Sequence, residues 1–169
     1  VLMFRPKKLD NNFDFNLIHH QNKFNLNNKI NTTLQEFFIK TKDGEKINII
    51  YFNNPNSKSN MIYAHGNGGN INSRLNKIHT FGTYTSIVFF DYRGYGKSSG
   101  YPNEKGMYLD AFAVWNFLVR HMKINPNYIT LYGRSIGTAV MTRLAYSLCN
   151  KKILKPNGLI LESGFSNIR

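Results

Sequence analysis

One stretch constrains the fold of this chain more than any other. Residues 128–132 are apolar and rich in β-formers, residues 133–137 read Gly-Arg-Ser-Ile-Gly, and an apolar-periodic run follows to Leu148. A Gly-x-Ser-x-Gly pattern between a strand and a helix is typical of a nucleophile elbow, in which the two chain arms pass close beneath the serine and require glycine on either side. The stretch therefore predicts Ser135 as a raised nucleophile. The alternative is a glycine-rich turn that carries no chemistry.

A second glycine-rich loop predicts a partner for this turn. Residues 65–69 read His-Gly-Asn-Gly-Gly and lie between a short apolar strand and a helix. Ile136 opens the helix after the serine, where its N–H is free to stabilise negative charge. We therefore predict an oxyanion hole formed by the backbone N–H groups of Asn67 and Ile136. The alternative is that the loop glycines only permit tight packing, and His65 is expected to bond loop backbone rather than to act as the base.

The first ordered elements predict a β-hairpin. Residues 34–40 and 46–52 have the composition of strands, and Asp43-Gly44 between them is a strong turn signal. Such a hairpin places the N-terminal part of a sheet in antiparallel pairing.

Strand and helix patterns then alternate along the chain. This order predicts an α/β fold: a mixed, mostly parallel sheet with an N-terminal antiparallel hairpin and helices on both faces. Ligands in such sheets bind beyond the carboxyl ends of the strands, where His65, Asp91, Ser135 and Glu162 stand. The predicted strands after the hairpin are 61–64, 86–90, 128–132 and 157–161, and the predicted helices are 72–81, 104–122 with Asn103 as its cap, and the elbow helix.

The N-terminal region differs from the rest in composition. Residues 1–31 are polar and rich in Asn with no clear period, which predicts an arm lying over the domain or a partly ordered lead-in, and residues 32–169 form the domain itself. The chain starts with Val1 rather than Met and is apolar up to Phe4. Both features are compatible with a chain cut from a longer one just after an anchor. No apolar run of about 18 residues is present.

The charge of the chain is strongly positive. It carries 22 Lys and Arg against 9 Asp and Glu, for a net charge of +13. A membrane surface would suit this charge. Basic residues are scattered, so no nucleic-acid partner is expected, and a coding bias towards Asn and Lys is the alternative source of the charge. Localisation stays open between membrane-associated and cytoplasmic.

Three other features have simpler interpretations. Gly96-Lys97-Ser98 resembles the end of a phosphate-binding loop, but Asp91 stands where that motif needs glycine, so no nucleotide is expected. Asp110 is expected at the surface or as a cap, and Glu162 as a partner of loop backbone rather than a catalytic acid. The single cysteine, Cys149, is expected to be a buried structural thiol.

Together these motifs resemble the α/β-hydrolase superfamily, and within it the branch of membrane-anchored α/β-hydrolase-domain serine hydrolases and acyl-protein depalmitoylases. The resemblance covers roughly residues 34–169 and implies Ser135 as nucleophile, with Asn67 and Ile136 as oxyanion hole. It also implies cleavage of an ester, thioester or amide in an acyl substrate such as a lipid or an acylated protein, without a cofactor. The matching stretches are 38–44, 65–70, 91–98, 108–110, 133–137 and 162–165.

One departure from that family matters. Its triad acid and histidine follow the nucleophile, whereas none of the five histidines of this chain lies after Ser135. The resemblance therefore implies a fold that is incomplete at the C-terminus, with the acid and the histidine expected beyond Arg169. By itself residues 1–169 would be inactive or nearly so. The alternative from another class is a non-catalytic binding module of the same fold, or an inactive fragment.

Overall fold

A computed structural model of the chain describes residues 4–10, 12, 33–150 and 155–164. Most of the predicted N-terminal arm, namely residues 1–3, 11 and 13–31, lies outside the described residues, so the division at residue 31 stays a prediction. The helices and strands in chain order are β1 Thr33–Lys40, β2 Lys46–Asn53, β3 Asn60–Ala64, α1 Lys77–Phe81, β4 Ser86–Phe90, α2 Glu104–Asn116, β5 Ile129–Arg134, α3 Ile136–Asn150 and β6 Gly158–Glu162.

The six described strands form one sheet in the order β1-β2-β4-β3-β5-β6. β1 and β2 pair antiparallel around the turn at Gly44, whose φ is +94°, and β2 pairs antiparallel with β4. The remaining three pairings are parallel. This arrangement confirms the predicted fold class. It also places the carboxyl ends of β3, β4, β5 and β6 at one edge of the sheet.

Side chains alternate between the two faces of the sheet, and each face has its own core. One core joins strand residues such as Val88 and Leu131 to Trp115 of α2 and Met141 of α3. The core on the opposite face joins other strand residues to Ile71, Leu75 and Ile78, which lie before or within α1. Helices therefore cover both faces, as predicted.

Two of the predicted helices differ in detail from the structure. The helix expected over 72–81 is a 3₁₀ turn, Ile71–Arg74, followed by the short α1. The helix expected over 104–122 is capped by Asn103, whose side chain accepts from the Gly106 N–H at 2.8 Å, and widens into a π turn at Phe117–His121. In that turn Leu118 is buried and the Phe117 ring lies 5.0 Å from that of Phe37. Packing against β1 accompanies the change, which a 3.6-residue period cannot anticipate.

The outermost described strand, β6, is apolar but poorly covered. Leu159, Ile160 and Leu161 are 39%, 44% and 49% exposed. By comparison, the residues of the four central strands, β2, β4, β3 and β5, are almost all buried. β6 therefore presents apolar side chains that this part of the chain does not cover.

Candidate active site

Ser135 lies at the sharp turn between β5 and α3. Its φ is +53°, a left-handed backbone conformation that non-glycine residues rarely adopt. Two hydrogen bonds hold the turn: the Ser135 N–H donates to the Glu162 carbonyl oxygen at 2.9 Å, and the Ser135 carbonyl accepts from the Thr138 N–H at 2.9 Å. The Thr138 hydroxyl also donates to that carbonyl, at 2.6 Å. The backbone of an elbow is therefore present, with the serine at its tip.

The two glycines of the pattern are needed for close backbone contact. A Cβ added to Gly133 would lie 2.3 Å from the Gly137 carbonyl oxygen, and one added to Gly137 would lie 2.2 Å from the Ala64 carbonyl oxygen. Both distances are too short for real atoms, and both partners are backbone that cannot move aside easily. The glycines therefore let the first turn of α3 pack directly on β5 and β3.

Ile136 is the first residue of α3. The first N–H groups of a helix have no acceptor within the helix, and no described group accepts from that of Ile136. The positive end of the helix dipole adds to the field at this point. Its N–H is therefore available to an anion beside Ser135.

The loop at residues 65–70 packs against the elbow. A Cβ added to Gly66 would lie 3.3 Å from the Cβ and 3.9 Å from the Oγ of Ser135. The next residue, Asn67, is half-buried, and its side-chain oxygen accepts from the Arg5 backbone N–H at 2.8 Å and from the Tyr95 hydroxyl at 3.0 Å. Asn67 is thereby held in place beside the elbow. Neither Arg5 nor Tyr95 stood out in the sequence.

The extended segment at residues 4–10 ties two loops of this edge together. The Gly96 N–H donates to the Lys7 carbonyl at 3.0 Å, and the Leu9 N–H donates to the Gly96 carbonyl at 3.1 Å. Lys8 Nζ donates to the Ser98 carbonyl at 2.8 Å. With the bond from Arg5 to Asn67, the segment links the 65–70 loop to the 91–98 loop.

His65 is fully buried, and its ring contacts groups other than Ser135. Its Nδ1 lies 2.7 Å from the Gly66 carbonyl oxygen, which makes Nδ1 the protonated nitrogen, and its ring packs against Tyr92 and Tyr95 at 4.5 and 5.4 Å. Burial lowers the pKa of His65 to about 4, so the imidazole is neutral at pH 7. The expected bond to loop backbone is confirmed.

The Asp91 side chain is buried beneath the 91–98 loop, which packs around it. Its Oδ1 accepts from the Ile71 N–H at 2.9 Å, and the Asp91 carbonyl accepts from the Ser98 hydroxyl at 2.7 Å. A Cβ on Gly96 would lie 1.8 Å from Asp91 Oδ2, so this glycine makes room for the carboxyl. Burial raises the pKa of Asp91 to about 8. The loop is a tight turn around a buried acid.

The expectation for Asp110 was wrong, because this residue is fully buried. Its carboxylate accepts from the Arg93 backbone N–H at 2.9 Å and from two guanidinium nitrogens at 2.8 and 3.0 Å, while Arg93 also bonds Asp43 at 2.8 Å. Burial raises the pKa of Asp110 to about 6, although Arg93 opposes the shift. The spacing of Asp110 from Met107 and Val114 puts it on the buried face of α2, a signal available in the sequence.

Two smaller expectations were also wrong. The Glu162 side chain accepts from the Tyr132 hydroxyl and pairs with Arg134 at 3.3 Å, so side chains rather than loop backbone are its partners. Only its carbonyl bonds backbone, at Ser135. Cys149 is exposed near the end of α3, because the buried stripe of that helix runs through Leu144 and Leu148 instead.

Ser135 has no base beside it in the described part of the chain. No described group bonds its hydroxyl, and His65 is engaged elsewhere. His79 and His121 lie on α1 and on the π turn, and His19 and His20 lie outside the described residues. No group of three potential metal ligands occurs among the described residues. Helices of membrane-spanning length and apolarity are also missing from that part of the chain.

Comparison with known proteins agrees with this fold. No family model matches the chain. It is 34% identical to an uncharacterised protein of Acanthamoeba polyphaga mimivirus over 140 residues, which is 80% of this chain and 48% of the viral protein. It is also 42% identical to the lysophosphatidylserine lipase ABHD12 of Macaca fascicularis over 113 residues, 64% of this chain and 27% of the lipase. The chain thus matches less than half of the length of these relatives.

Comparison with solved structures supports the fold described above. The crystal structure of an α/β-hydrolase from Vibrio vulnificus superposes with a TM-score of 0.68 at 21% identity, over 94% of this chain and 61% of that protein. At this identity the likeness concerns the fold, and the residues of the elbow add the local geometry. The described residues therefore form part of an α/β-hydrolase fold.

Proposed function

We propose that the complete protein is a serine hydrolase that cleaves an ester, thioester or amide through an acyl-enzyme on Ser135. The observation that carries the proposal is the left-handed backbone of Ser135 at +53°, maintained next to the free N–H of a helix start. A second serine, Ser163, directly after β6, has a similar φ of +52° and provides a matched control for Ser135. Strain of this kind persists where it serves a function.

In the proposed reaction the Ser135 Oγ attacks the carbonyl carbon while a histidine takes its proton. The negative charge on the carbonyl oxygen is stabilised by the N–H groups of Asn67 and Ile136, each contributing roughly 3 kcal/mol to lowering the barrier. The leaving group departs with the proton from the histidine, and water then releases the acyl group by the reverse path. We expect the histidine and its acid outside the described residues, beyond Arg169.

The acyl substrate class is supported by a relative. One relative, ABHD12 of Macaca fascicularis, is named a lysophosphatidylserine lipase, and a lysophospholipid contains one acyl ester. We propose an acyl lipid or an acylated protein as the substrate of the complete protein. A panel containing a lysophospholipid, a palmitoyl thioester and p-nitrophenyl acetate distinguishes these classes by kcat/KM.

The serine assignment is tested with a fluorophosphonate probe on the complete gene product. Ser135→Ala should abolish labelling, whereas Ser163→Ala, at the other left-handed serine, should leave it intact. Labelling that survives Ser135→Ala would refute the assignment.

A second candidate is a non-catalytic binding module. The observation that favours it is that no base contacts Ser135 among the described residues. Such a module would bind acyl ligands at the same edge without turnover. Absence of any Ser135-dependent labelling or hydrolysis by the complete gene product, together with retained acyl-ligand binding, would establish it.

Membrane association of the complete protein is a further proposal, supported by the net charge of +13. Basic residues near an anionic leaflet contribute about 1 kcal/mol each. Fractionation of cells producing the complete protein tests this, and full recovery in the soluble fraction at physiological salt would count against it.

A further inference from the structure

An open groove lies at the edge of the sheet farthest from β6. Its walls come from the end of β1 and the turn after it, and from the later turns of α2 with the π turn, and it encloses about 660 Å³. This volume falls within the range of small-molecule sites, about 300–1,000 Å³. Apolar side chains that pack on the α2 face of the sheet form the floor, among them Ile39, Phe112 and Phe117. Each of these three is only partly buried, so an apolar ligand would cover them further.

The rim of the groove is positive. Lys40, Lys42 and Arg120 line it and are exposed, and no acidic residue lies among the described residues that line it. None of these three cations has an ion-pair partner in the described part of the chain.

Acidic residues of the same hairpin do not neutralise this rim. Asp43 is bonded to Arg93, Glu36 is paired with Lys97 at 2.9 Å, and Glu45 accepts from the Ser99 hydroxyl. The positive charge beside the apolar floor is therefore left for a ligand. An apolar tail and an anionic head would satisfy both parts of the groove.

The groove is separate from the candidate active site. β1 and β5 are four positions apart in the sheet order, so neighbouring strands at about 4.8 Å spacing put them roughly 19 Å apart. None of the groove-lining residues belongs to the 65–70 loop or to the elbow. A ligand here would not be the one attacked by Ser135.

We propose that this groove binds a single-chain amphiphile with an anionic head, with the acyl chain on the Ile39, Phe112 and Phe117 side chains and the head on Lys40, Lys42 and Arg120. The head is a carboxylate, as in a free fatty acid, or a phosphate, as in a lysophospholipid. Both chemistries fit ammonium and guanidinium donors.

Binding of monomeric lipids to the Ser135→Ala protein tests the inference without any turnover, so the result does not depend on the proposed function. The probes are oleate, 1-oleoyl-lysophosphatidate and the neutral 1-oleoylglycerol, each kept below its critical micelle concentration. At least one of the two acids should bind with one-to-one stoichiometry and at least tenfold more tightly than the neutral lipid. The tighter acid identifies the headgroup.

Variants locate the site. The triple change Lys40→Glu, Lys42→Glu and Arg120→Glu should weaken binding of the acid at least tenfold, and Phe112→Ser, in the apolar floor, should weaken it severalfold. The charge-matched control changes Lys58, Lys77 and Lys155 to Glu; none of these residues lines the groove. Melting temperatures verify that each variant folds.

Three results would overturn the inference. Equal affinity for acidic and neutral lipids would show that the basic rim does not contribute to binding. An equal loss in the control triple variant would indicate non-specific attraction by net charge. Binding to phosphatidylserine vesicles but to neither monomeric acid would indicate a membrane-docking surface instead of a ligand site.

Discussion

Gly133 stands directly against the carbonyl oxygen of Gly137: a Cβ on Gly133 would approach that oxygen to 2.3 Å. We therefore expect Gly133→Ala to lower the free energy of unfolding by about 3 kcal/mol, because backbone on both sides would have to shift. Gly158 is the matched control, since a Cβ there meets nothing within 4 Å. Urea unfolding of the two variants measures the difference, and equal stability would contradict the close packing of elbow and helix.

The left-handed backbone of Ser135 predicts that function and stability conflict at this residue. Glycine adopts a φ of +53° without strain, so Ser135→Gly should be about 1 kcal/mol more stable than Ser135→Ala, which keeps the strain. Both variants lack the hydroxyl and should be inactive. Thermal unfolding of the pair measures the strain. An alanine variant as stable as the glycine variant would mean that the turn is not strained.

Because the ion pair of Arg93 with Asp110 is buried, we expect a large decrease in the free energy of unfolding when Asp110 is replaced by a neutral residue. Asp110→Asn leaves a buried guanidinium with one charged partner and should cost about 3–5 kcal/mol. The other partner, Asp43, has a 40% exposed side chain, so Asp43→Asn should cost about 1 kcal/mol or less. Chemical unfolding compares the two. Similar losses would show that burial does not distinguish these two ion pairs.

Because the carboxyl group of Asp91 is buried, we expect its contribution to the free energy of unfolding to fall as the pH rises. Burial raises its pKa from 3.8 to about 8, although the Ile71 N–H, Lys8 and Arg74 oppose the shift, so the folded state holds a proton that the unfolded state releases. Its contribution is therefore complete below about pH 3.8 and lost as the pH rises through about 8. Burial lowers the pKa of neighbouring His65 to about 4, so above pH 6.5 the imidazole is neutral in both states.

Asp91→Asn isolates this effect. Between pH 6.5 and 8 the wild-type protein should lose about 1.4 kcal/mol of unfolding free energy per pH unit relative to the variant. Parallel pH profiles of the two proteins would show instead that the buried carboxylate is ionised and stabilised across this range.

The bond from the Tyr95 hydroxyl to Asn67 predicts a positioning role for Tyr95 if the proposed mechanism holds. Tyr95→Phe removes one of the two donors to the Asn67 side-chain oxygen, so the 65–70 loop should hold the oxyanion less well. We expect kcat to fall about tenfold with KM unchanged, since the oxyanion forms only in the transition state.

The control for this change is Tyr51→Phe, which removes a buried hydroxyl bonded at 3.1 Å to Asn60, at the opposite end of β3 from the 65–70 loop. Both changes should cost about 1 kcal/mol of stability. An equal effect of both on kcat would assign the loss to general loosening of the fold.

Local patterns in the sequence predicted the hairpin, the order of strands and helices, and the elbow. The elbow was predictable because its requirement is local: glycines two residues from a serine permit a contact between neighbouring turns of chain. The hairpin was predictable for the same reason, since Gly44 adopts the positive φ that its turn needs. The cap at Asn103 acts within three residues.

Contacts between distant residues decided the remaining features. Arg5 and Asn67 are 62 residues apart and meet only because the N-terminal segment crosses the loops at the carboxyl ends of the strands. Lys40 and Arg120 lie on the same groove because β1 packs beside the π turn. The period of a helix indicates which face is buried, but the identity of the group that faces it depends on packing. The spacing of Asp110 from Met107 and Val114 therefore indicates burial, but only the fold shows that its buried partner is Arg93.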